Sequence, residues 1–140
     1  MIEVIRAEPG SAALAACFEL RLAVFVAEQN VPEEEELDEL DDVALHVLVL
    51  HDGTPAGTAR AVEKAPGLWK IGRVAVAAPF RKLGIGKIAM QGVEALCPGG
   101  SFVLDAQTHA LGFYEKLGYA AEGPEFMDAG IPHRLMRKTA

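Results

Sequence analysis

A glycine-containing loop in the middle of the chain has the residue types and spacing of a phosphate-binding site. Residues 81–87 read Arg-Lys-Leu-Gly-Ile-Gly-Lys, follow a short apolar stretch and lead into an amphipathic segment. A helix that begins here presents unpaired backbone N–H groups and the positive end of its dipole. The two glycines let the backbone approach a ligand closely, and the cationic side chains add positive charge. The pattern predicts binding of a phosphorylated ligand.

Two of the common phosphate-binding loops fit these residues poorly. A P-loop needs a serine or threonine after Gly86-Lys87, where this chain has Ile88. The dinucleotide fingerprint is matched by residues 84–89, with Asp105 at a suitable distance. Yet six residues separate the preceding strand from Gly84, and only 35 follow Asp105, too few for the second half of a doubly wound sheet. A nicotinamide-binding module is therefore the weakest alternative.

The acetyl-coenzyme A loop fits better, because two separate segments support it. Val74-Ala75-Val76 followed by Arg81-x-x-Gly84-x-Gly86 resembles the signature R/Q-x-x-G-x-G/A of the GNAT superfamily of N-acetyltransferases. Residues 113–119, Phe-Tyr-Glu-Lys-Leu-Gly-Tyr, are similar to the F-Y-x-K-x-G-F segment that follows the fifth strand in that superfamily. The two segments have the right order and a suitable spacing.

A narrower resemblance points to the ElaA-like branch of the superfamily. It is carried by residues 24–32, by the acidic stretch that ends at His46, and by residues 130–133 with Met136. Together with the two segments above, these residues extend the resemblance over almost the whole chain.

The resemblance implies an N-acetyltransferase that moves an acetyl group from acetyl-coenzyme A to a primary amine of a small, cationic molecule or a peptide. The amine would attack directly in a ternary complex, with acetyl-coenzyme A as cosubstrate and with no metal. The alternative is a non-catalytic acyl-coenzyme A sensor that regulates a partner. An intact Tyr114 beside an intact glycine loop favours the enzyme, since a sensor has no need of the tyrosine.

The same resemblance assigns roles to individual residues. Tyr114 matches the tyrosine that donates a proton to the departing thiolate, and a phenol is protonated at pH 7. A backbone N–H near Val76 would stabilise the oxyanion. Glu28 is the candidate general base. The alternatives are a chain of water molecules, His46, His109, His133 and Asp105. The expected acceptor-binding residues are Glu28, Gln29, His46 and His133. The expected cofactor-binding residues are Val74, Ala75, Val76, Arg81, Lys82, Leu83, Gly84, Ile85, Gly86, Lys87, Gln107 and Tyr114.

Length and charge exclude several classes of protein. A chain of 140 residues that is 51% hydrophobic is typical of one globular domain, here residues 1–140. The formal net charge of -7 disfavours nucleic-acid binding, which needs a basic face. We see no secretory signal and no apolar run that could span a bilayer, so we expect a cytoplasmic protein with no membrane partner. Cys17 and Cys97 lie among apolar neighbours, which favours reduced structural thiols.

Negative charge is concentrated in one segment. Nine of the 20 carboxylates lie between Glu28 and Asp42, including four consecutive glutamates at residues 33–36. The remaining carboxylates are slightly outnumbered by the 13 lysines and arginines. We interpret this acidic segment either as a solvated loop or as a surface that attracts a cationic acceptor.

Periodicity predicts a mixed α+β domain. Apolar patterns predict strands at residues 2–6, 43–50, 56–62, 69–77, 101–106, 119–127 and 133–138, and Asp52-Gly53 predicts a tight hairpin. Helical spacing predicts a helix from Ser11 towards Pro32, one from residue 85 to Pro98-Gly99-Gly100, and a short one at residues 110–117. This order resembles the GNAT fold, a mostly antiparallel central sheet flanked by helices. Exposed strand edges in such folds often pair, so a homodimer is a possible oligomeric state.

Overall fold

A single mixed sheet forms the centre of the molecule. The computed structural model describes residues 1–97 and 99–139, with only the backbone described at Glu35, so Pro98 at the expected helix end lies outside the described residues. Within them, seven strands follow the order β1-β2-β3-β4-β5-β7-β6. The strands are β1 Ile2–Arg6, β2 Leu45–His51, β3 Thr54–Ala65, β4 Leu68–Val76, β5 Ser101–Gln107, β6 Ala120–Asp128 and β7 Ile131–Lys138.

The sheet separates between β4 and β5. Among the described strands these two are the parallel neighbours, and every other neighbouring pair is antiparallel. Their pairing is short, because only Leu68, Trp69 and Lys70 lie opposite partners, at residues 101–103. Beyond Lys70 the two strands diverge, which leaves an edge of β4 facing a cleft.

Helices cover both faces of the sheet. The first, α1 Ala12–Arg21, begins at Ser11, whose hydroxyl accepts the Leu14 N–H at 3.1 Å, as expected for an N-cap. It continues as a π-helix over Leu22–Glu28, a rare form that often occurs at functional sites. The remaining helices are α2 Glu33–Glu36, α3 Ile85–Ala95 and α4 Leu111–Glu115, with 3-10 turns at Glu39–Asp42, Ala78–Phe80 and Thr108–Ala110.

Strand β2 lies between two hydrophobic cores. Val47 and Val49 pack with residues of α3, whereas Leu48 packs with residues of α1. Alternate residues of a strand point to opposite faces of the sheet, so α1 and α3 cover opposite faces. This confirms the expected strand, apolar on both faces, for residues 45–50, whereas Val43 lies before β2 and is 71% exposed.

The first helix buries a different face from the one predicted by its spacing. The predicted residues are Leu14, Phe18, Leu22 and Phe25. The residues that the structure buries along α1 and the π-helix are Leu14, Cys17, Leu20, Arg21 and Val24. The physical reason is Arg21, whose guanidinium binds two buried carboxylates and so turns this face of the helix inward.

Both cysteines are buried and free, as expected. Burial raises the pKa of each thiol, that of Cys97 to about 11. Neither side chain therefore carries the thiolate that nucleophilic or redox chemistry requires. In the described residues, no helix is long and apolar enough to cross a membrane.

Candidate active site

The loop before α3 forms a concave backbone surface at the start of the helix. Lys82 and Gly84 have left-handed backbones, with φ of 71° and 78°, and Gly84 caps the helix. Turns of this kind direct successive N–H groups towards one point, which suits an anion. An open cleft of about 370 Å³ adjoins the loop, and its walls include Val76, Gly86 and Phe113.

Gly86 keeps side-chain atoms out of this cleft. A Cβ at that position would lie 3.2 Å from Cζ of Phe113 and 3.6 Å from Cγ2 of Val76. Ile85 turns its side chain into the core, so it can offer a ligand only its backbone N–H, and Leu83 is exposed. These residues could hold the phosphate of a ligand, since they combine a helix start, an unobstructed approach and the nearby Lys87.

Arg81 binds protein groups on both sides of this loop. Its Nε donates to the Val76 carbonyl at 3.0 Å, and its terminal nitrogens contact the two carboxylate oxygens of Glu28 at 2.9 Å each. The hydrogen bond from Arg81 lowers the pKa of Glu28, which makes this carboxylate a weaker base. Glu28 lines neither this cleft nor the larger cleft between β4 and β5.

The free edge of β4 directs backbone groups into the gap beside β5. Ala77 donates its N–H to the Ala56 carbonyl on β3 at 2.9 Å. Because successive backbone N–H groups of an extended strand alternate in direction, the N–H of Val76 points away from β3 and towards the gap. The Val76 carbonyl also points away from β3, and Nε of Arg81 donates to it there.

A larger cleft of about 650 Å³ occupies the gap between β4 and β5. Residues from six parts of the chain line it, among them Gln29, Val74, Gln107, Tyr114 and His133. Gln29 and Gln107 join its walls, because Nε2 of Gln107 donates to Oε1 of Gln29 at 2.8 Å. The fold thus brings the end of the π-helix, the free edge of β4, the end of β5 and the start of β7 to one cleft.

Tyr114 projects from α4 into this cleft. Its ring packs edge-on against Phe113, with centroids 4.9 Å apart, and against Tyr119 at 6.1 Å. Burial raises the pKa of the Tyr114 hydroxyl to about 12. The side chain is therefore a proton donor throughout the physiological pH range.

His133 is held in one orientation at the opposite wall. Its ring stacks on Phe126, and Nδ1 lies 2.7 Å from the Ile131 carbonyl. A carbonyl only accepts, so Nδ1 carries the hydrogen and the neutral ring leaves Nε2 as an acceptor. Within the described part of the chain, the buried side-chain nitrogens without a partner are Nδ1 of His46 and Nε1 of Trp69. His133 itself is one of the residues that line the cleft.

His46 lies away from the cleft, inside a cluster of charged residues. It is 2% exposed, and its Nε2 donates to the Asp41 carbonyl at 3.1 Å. Burial lowers the pKa of His46, which keeps the ring neutral. An acceptor in the cleft does not reach this side chain, so the structure does not bring His46 together with Gln29 and His133.

The acidic segment is folded onto three arginines. Arg21, which is fully buried, binds Oε1 of Glu36 at 2.9 Å and Oδ1 of Asp41 at 2.7 Å. Arg60 binds the same Asp41 oxygen at 2.9 Å and Asp38 at 2.8 Å. Burial opposes ionisation of Asp41, but the hydrogen bonds from both arginines outweigh it and lower its pKa. We call Arg21, Glu36, Asp38, Asp41, Arg60 and Arg73 the ion cluster.

Removal of Arg21 is expected to destabilise the domain strongly. Arg21→Met would leave Glu36 and Asp41 buried with fewer cationic partners, a change that costs about 3 to 5 kcal/mol of unfolding free energy. The matched control is Arg137→Met, which breaks the Arg137–Glu122 pair, whose side chains are 41% and 47% exposed, and should cost about 1 kcal/mol or less. Urea unfolding measures both, and equal losses would contradict a stabilising ion cluster.

Arg73 is a site residue that the local sequence pattern does not reveal. It has a left-handed backbone, with φ of 54°, in the strand that borders the cleft, a conformation that costs an L-residue about 1 to 3 kcal/mol. The one sequence signal was Gly72, because a glycine inside a strand pattern often marks a bulge. Its ion-pair partners lie more than 30 residues away, so local spacing does not reveal them.

Sequence relatives identify the family that this geometry suits. A family model described as an acetyltransferase (GNAT) domain matches residues 13–140. The chain belongs to the GNAT acetyltransferases. The Bacillus subtilis N-acetyltransferase YjcF is 45% identical to this GNAT chain over 125 residues, which are 86% of this chain and 89% of that protein. Escherichia coli ElaA is 32% identical over 127 residues, 86% and 83% of the two chains, which confirms the ElaA-like resemblance.

Solved structures show the same GNAT fold. The crystal structure of Escherichia coli ElaA has a TM-score of 0.85 at 29% identity and covers 99% of each chain. An acyl-CoA N-acyltransferase from Pseudomonas aeruginosa has a TM-score of 0.84 at 29% identity, covering 99% of this chain and 100% of that one. These matches confirm the expected mixed α+β fold, and family membership makes this protein an acetyltransferase that uses acetyl-coenzyme A as its cosubstrate.

Proposed function

We propose that this GNAT protein transfers the acetyl group of acetyl-coenzyme A to a primary amine by direct attack within a ternary complex. The observation that carries the proposal is the separation of β4 from β5, where the cleft beside the glycine loop and the cleft lined by Tyr114 and His133 share Val74 as a wall. A cosubstrate bound at the loop and an amine bound near His133 would share one continuous opening.

The glycine loop and the free edge of β4 would hold the cosubstrate. The backbone N–H groups of residues 83–87 would bind the pyrophosphate, with Lys82 and Lys87 adding charge. The pantetheine arm would lie along Val74, Ala75 and Val76, where the unpaired strand edge accepts an extended ligand as it would an added strand. Arg81 would support this arrangement by fixing the Val76 carbonyl rather than by direct contact with phosphate.

Three groups of the protein would serve the reaction itself: the Val76 N–H, the Tyr114 hydroxyl and the His133 ring. Acetyl-coenzyme A supplies a thioester, whose carbonyl carbon is open to attack by a neutral amine. The Val76 N–H, which points into the gap, would donate to the carbonyl oxygen as negative charge develops on it. Tyr114 would give its proton to the departing sulfur.

We propose His133 as the group that takes the proton from the amine. An ammonium ion has no lone pair with which to attack, so a base must be within reach of the acceptor. His133 lines the cleft, and its Nδ1 is engaged with the Ile131 carbonyl, so in the neutral ring Nε2 would be the nitrogen that accepts the proton. The competing carboxylates are engaged, since Glu28 is bound to Arg81 and Asp105 lies 2.9 Å from Nζ of Lys70. Gln29, which lines the cleft, would instead help to shape the acceptor side of the opening.

Charge steering by the acidic segment depends on fewer carboxylates than its sequence suggests. Glu36 and Asp41 are buried, and Asp38 is paired with Arg60 and Arg73. Glu33 and Glu34 remain exposed, and Glu34 lines the cleft. We propose that these two attract a cationic acceptor.

The variant Glu33→Gln/Glu34→Gln tests this preference without disturbing the ion cluster. We expect kcat/KM for a dicationic amine to fall by about threefold at low salt, because two unit charges are lost near the entrance. A neutral amine should be used equally well by both proteins. Steady-state assays at two salt concentrations measure the effect, and an unchanged kcat/KM and salt dependence would exclude steering.

Ligand-dependent stability tests the cosubstrate part of the proposal. Acetyl-coenzyme A at about a hundred times its dissociation constant should add roughly 2.7 kcal/mol of unfolding free energy. Thermal unfolding with acetyl-coenzyme A, coenzyme A and NAD separates the possibilities. A shift with both coenzyme A forms supports the proposal. The absence of any shift with them, or a shift with NAD alone, contradicts it.

A further inference from the structure

We propose that Arg73 is a positioning residue for acetyl-coenzyme A: it ties a bulge in β4 to the ion cluster and thereby sets the gap between β4 and β5. The inference rests on the proposed function, because it concerns how the same gap receives the pantetheine arm. It gives the acidic segment a second role, as the anchor of one wall of the cosubstrate groove.

The bulge lies just after the point where β4 leaves β5. Thr58 of β3 lies opposite Ala75, and Arg60 lies opposite Gly72, so two residues of β4, Arg73 and Val74, face the single intervening residue of β3. The left-handed backbone of Arg73 accommodates this extra residue. A bulge bends its strand and increases the local twist, so its conformation sets the direction in which the edge of β4 continues.

The Arg73 side chain fastens this bulge to the folded acidic segment. Nε donates to the Glu36 carbonyl at 3.2 Å and lies 3.3 Å from Oε1 of Glu36. A terminal nitrogen donates to Oδ2 of Asp38 at 3.2 Å. A planar guanidinium that contacts two residues at once has a fixed orientation, which a single charged contact would not give.

The far end of this tether is rigid. Glu36 is also held by Arg21, and Asp38 is also held by Arg60. Arg21 is fully buried and belongs to α1, so the acidic segment is fixed to the body of the domain. The tether therefore transmits the position of α1 and β3 to the bulge of β4.

A substitution at Arg73 should act on one part of the cosubstrate and not on the other. The pantetheine arm would lie against Val74, which belongs to the bulge, and against Val76, which follows it. The phosphates would lie at the loop of residues 83–87, which is held by α3 and by Arg81. Loss of the tether should weaken the contact between the pantetheine arm and β4 and leave the contact between the phosphates and the loop unchanged.

The experiment compares two ligands by competition binding. The first is acetyl-coenzyme A, and the second is 3′-phospho-ADP, which carries the phosphates and lacks the pantetheine arm. Arg73→Gly keeps a residue that adopts φ > 0 freely but removes the tether. We expect it to raise the Kd for acetyl-coenzyme A by about tenfold to a hundredfold, as small misplacements of binding groups do, and to leave the Kd for 3′-phospho-ADP nearly unchanged. Arg73→Lys should recover part of the affinity.

Two further variants separate positioning from general destabilisation. Asp38→Asn removes a carboxylate from the far side of the tether and should shift the same Kd in the same direction. Val47→Ala truncates a buried core residue on β2 and should lower the melting temperature without changing either Kd. If Arg73→Gly weakened both ligands equally, or neither, the proposal would be overturned. A wild-type protein that binds 3′-phospho-ADP but not acetyl-coenzyme A would overturn the proposed function itself.

Discussion

Gly86→Glu is expected to abolish binding of acetyl-coenzyme A, with a loss of affinity of at least about a hundredfold, or roughly 2.7 kcal/mol. Two effects combine. The new Cβ would lie 3.2 Å from the Phe113 ring, so the loop or the ring must move. The new carboxylate would lie at the start of α3, where it satisfies the N–H groups and the dipole that the pyrophosphate would otherwise use.

Two matched variants separate these effects in a direct titration of acetyl-coenzyme A. Gln91→Glu makes the same change of charge on an exposed position of the same helix and should bind normally. Gly86→Ala adds the Cβ without the charge and should give an intermediate loss. Normal binding by Gly86→Glu would show that the cosubstrate does not use this loop.

Tyr114→Phe is expected to lower kcat by about a hundredfold, the lower end of the range for general acid catalysis, with little change in the KM for acetyl-coenzyme A. The ring keeps its packing against Phe113 and Tyr119, so only the proton donor is lost. Because burial raises the pKa of Tyr114 to about 12, loss of its proton should not limit the wild-type rate at any pH up to about 10.

Tyr119→Phe is the control for loss of a hydroxyl. The Tyr119 hydroxyl donates to Oε2 of Glu94 at 2.6 Å, away from the cleft. This variant should lose about 1 kcal/mol of stability and keep its kcat. Steady-state kinetics of both variants decide the role, since a kcat for Tyr114→Phe within about twofold of the wild type would exclude general acid catalysis by this residue.

The sequence predicts well the features that depend on interactions between residues close together in the chain. Ser11 caps α1 through a hydrogen bond to a residue three positions away. Asp52 and Gly53 form the hairpin between β2 and β3 with φ of 49° and 81°, as the dipeptide predicts. The glycine loop and the helix that follows it are likewise set within about ten residues, and the structure has them as expected.

The features that sequence does not predict depend on contacts between distant residues. A run of glutamates has the pattern of a solvated loop, and nothing nearby shows that Glu36 and Asp41 bind Arg21, 15 and 20 residues earlier in the chain. The bonds from Arg21 to Glu36 and Asp41 accompany its burial. His46 lies inside the protein with its Nε2 bonded to the Asp41 carbonyl. The tether from Arg73 to Asp38 spans 35 residues and becomes visible only when the acidic segment is placed beside β4.

The pairing of Glu28 with Arg81 is a contact between distant residues that bears on the proposed general base. Sequence resemblance places Glu28 on the acceptor side, but the folded chain brings Arg81 to it from 53 residues away. The arginine lowers the pKa of this carboxylate and occupies both of its oxygens. His133 enters the same comparison because it lines the cleft and because the Ile131 carbonyl, two residues away, holds the hydrogen of the neutral ring on Nδ1.

Release of coenzyme A thiol in the presence of amines tests the central claim most directly. Purified protein is incubated with acetyl-coenzyme A and a panel of mono- and dicationic amines, neutral amines and peptides, and both free thiol and acetylated amine are measured. We predict thiol release that depends on the amine, is matched by acetylated product and is nearly absent with Tyr114→Phe. Tight binding of acetyl-coenzyme A without amine-dependent release from any member of the panel would contradict the account.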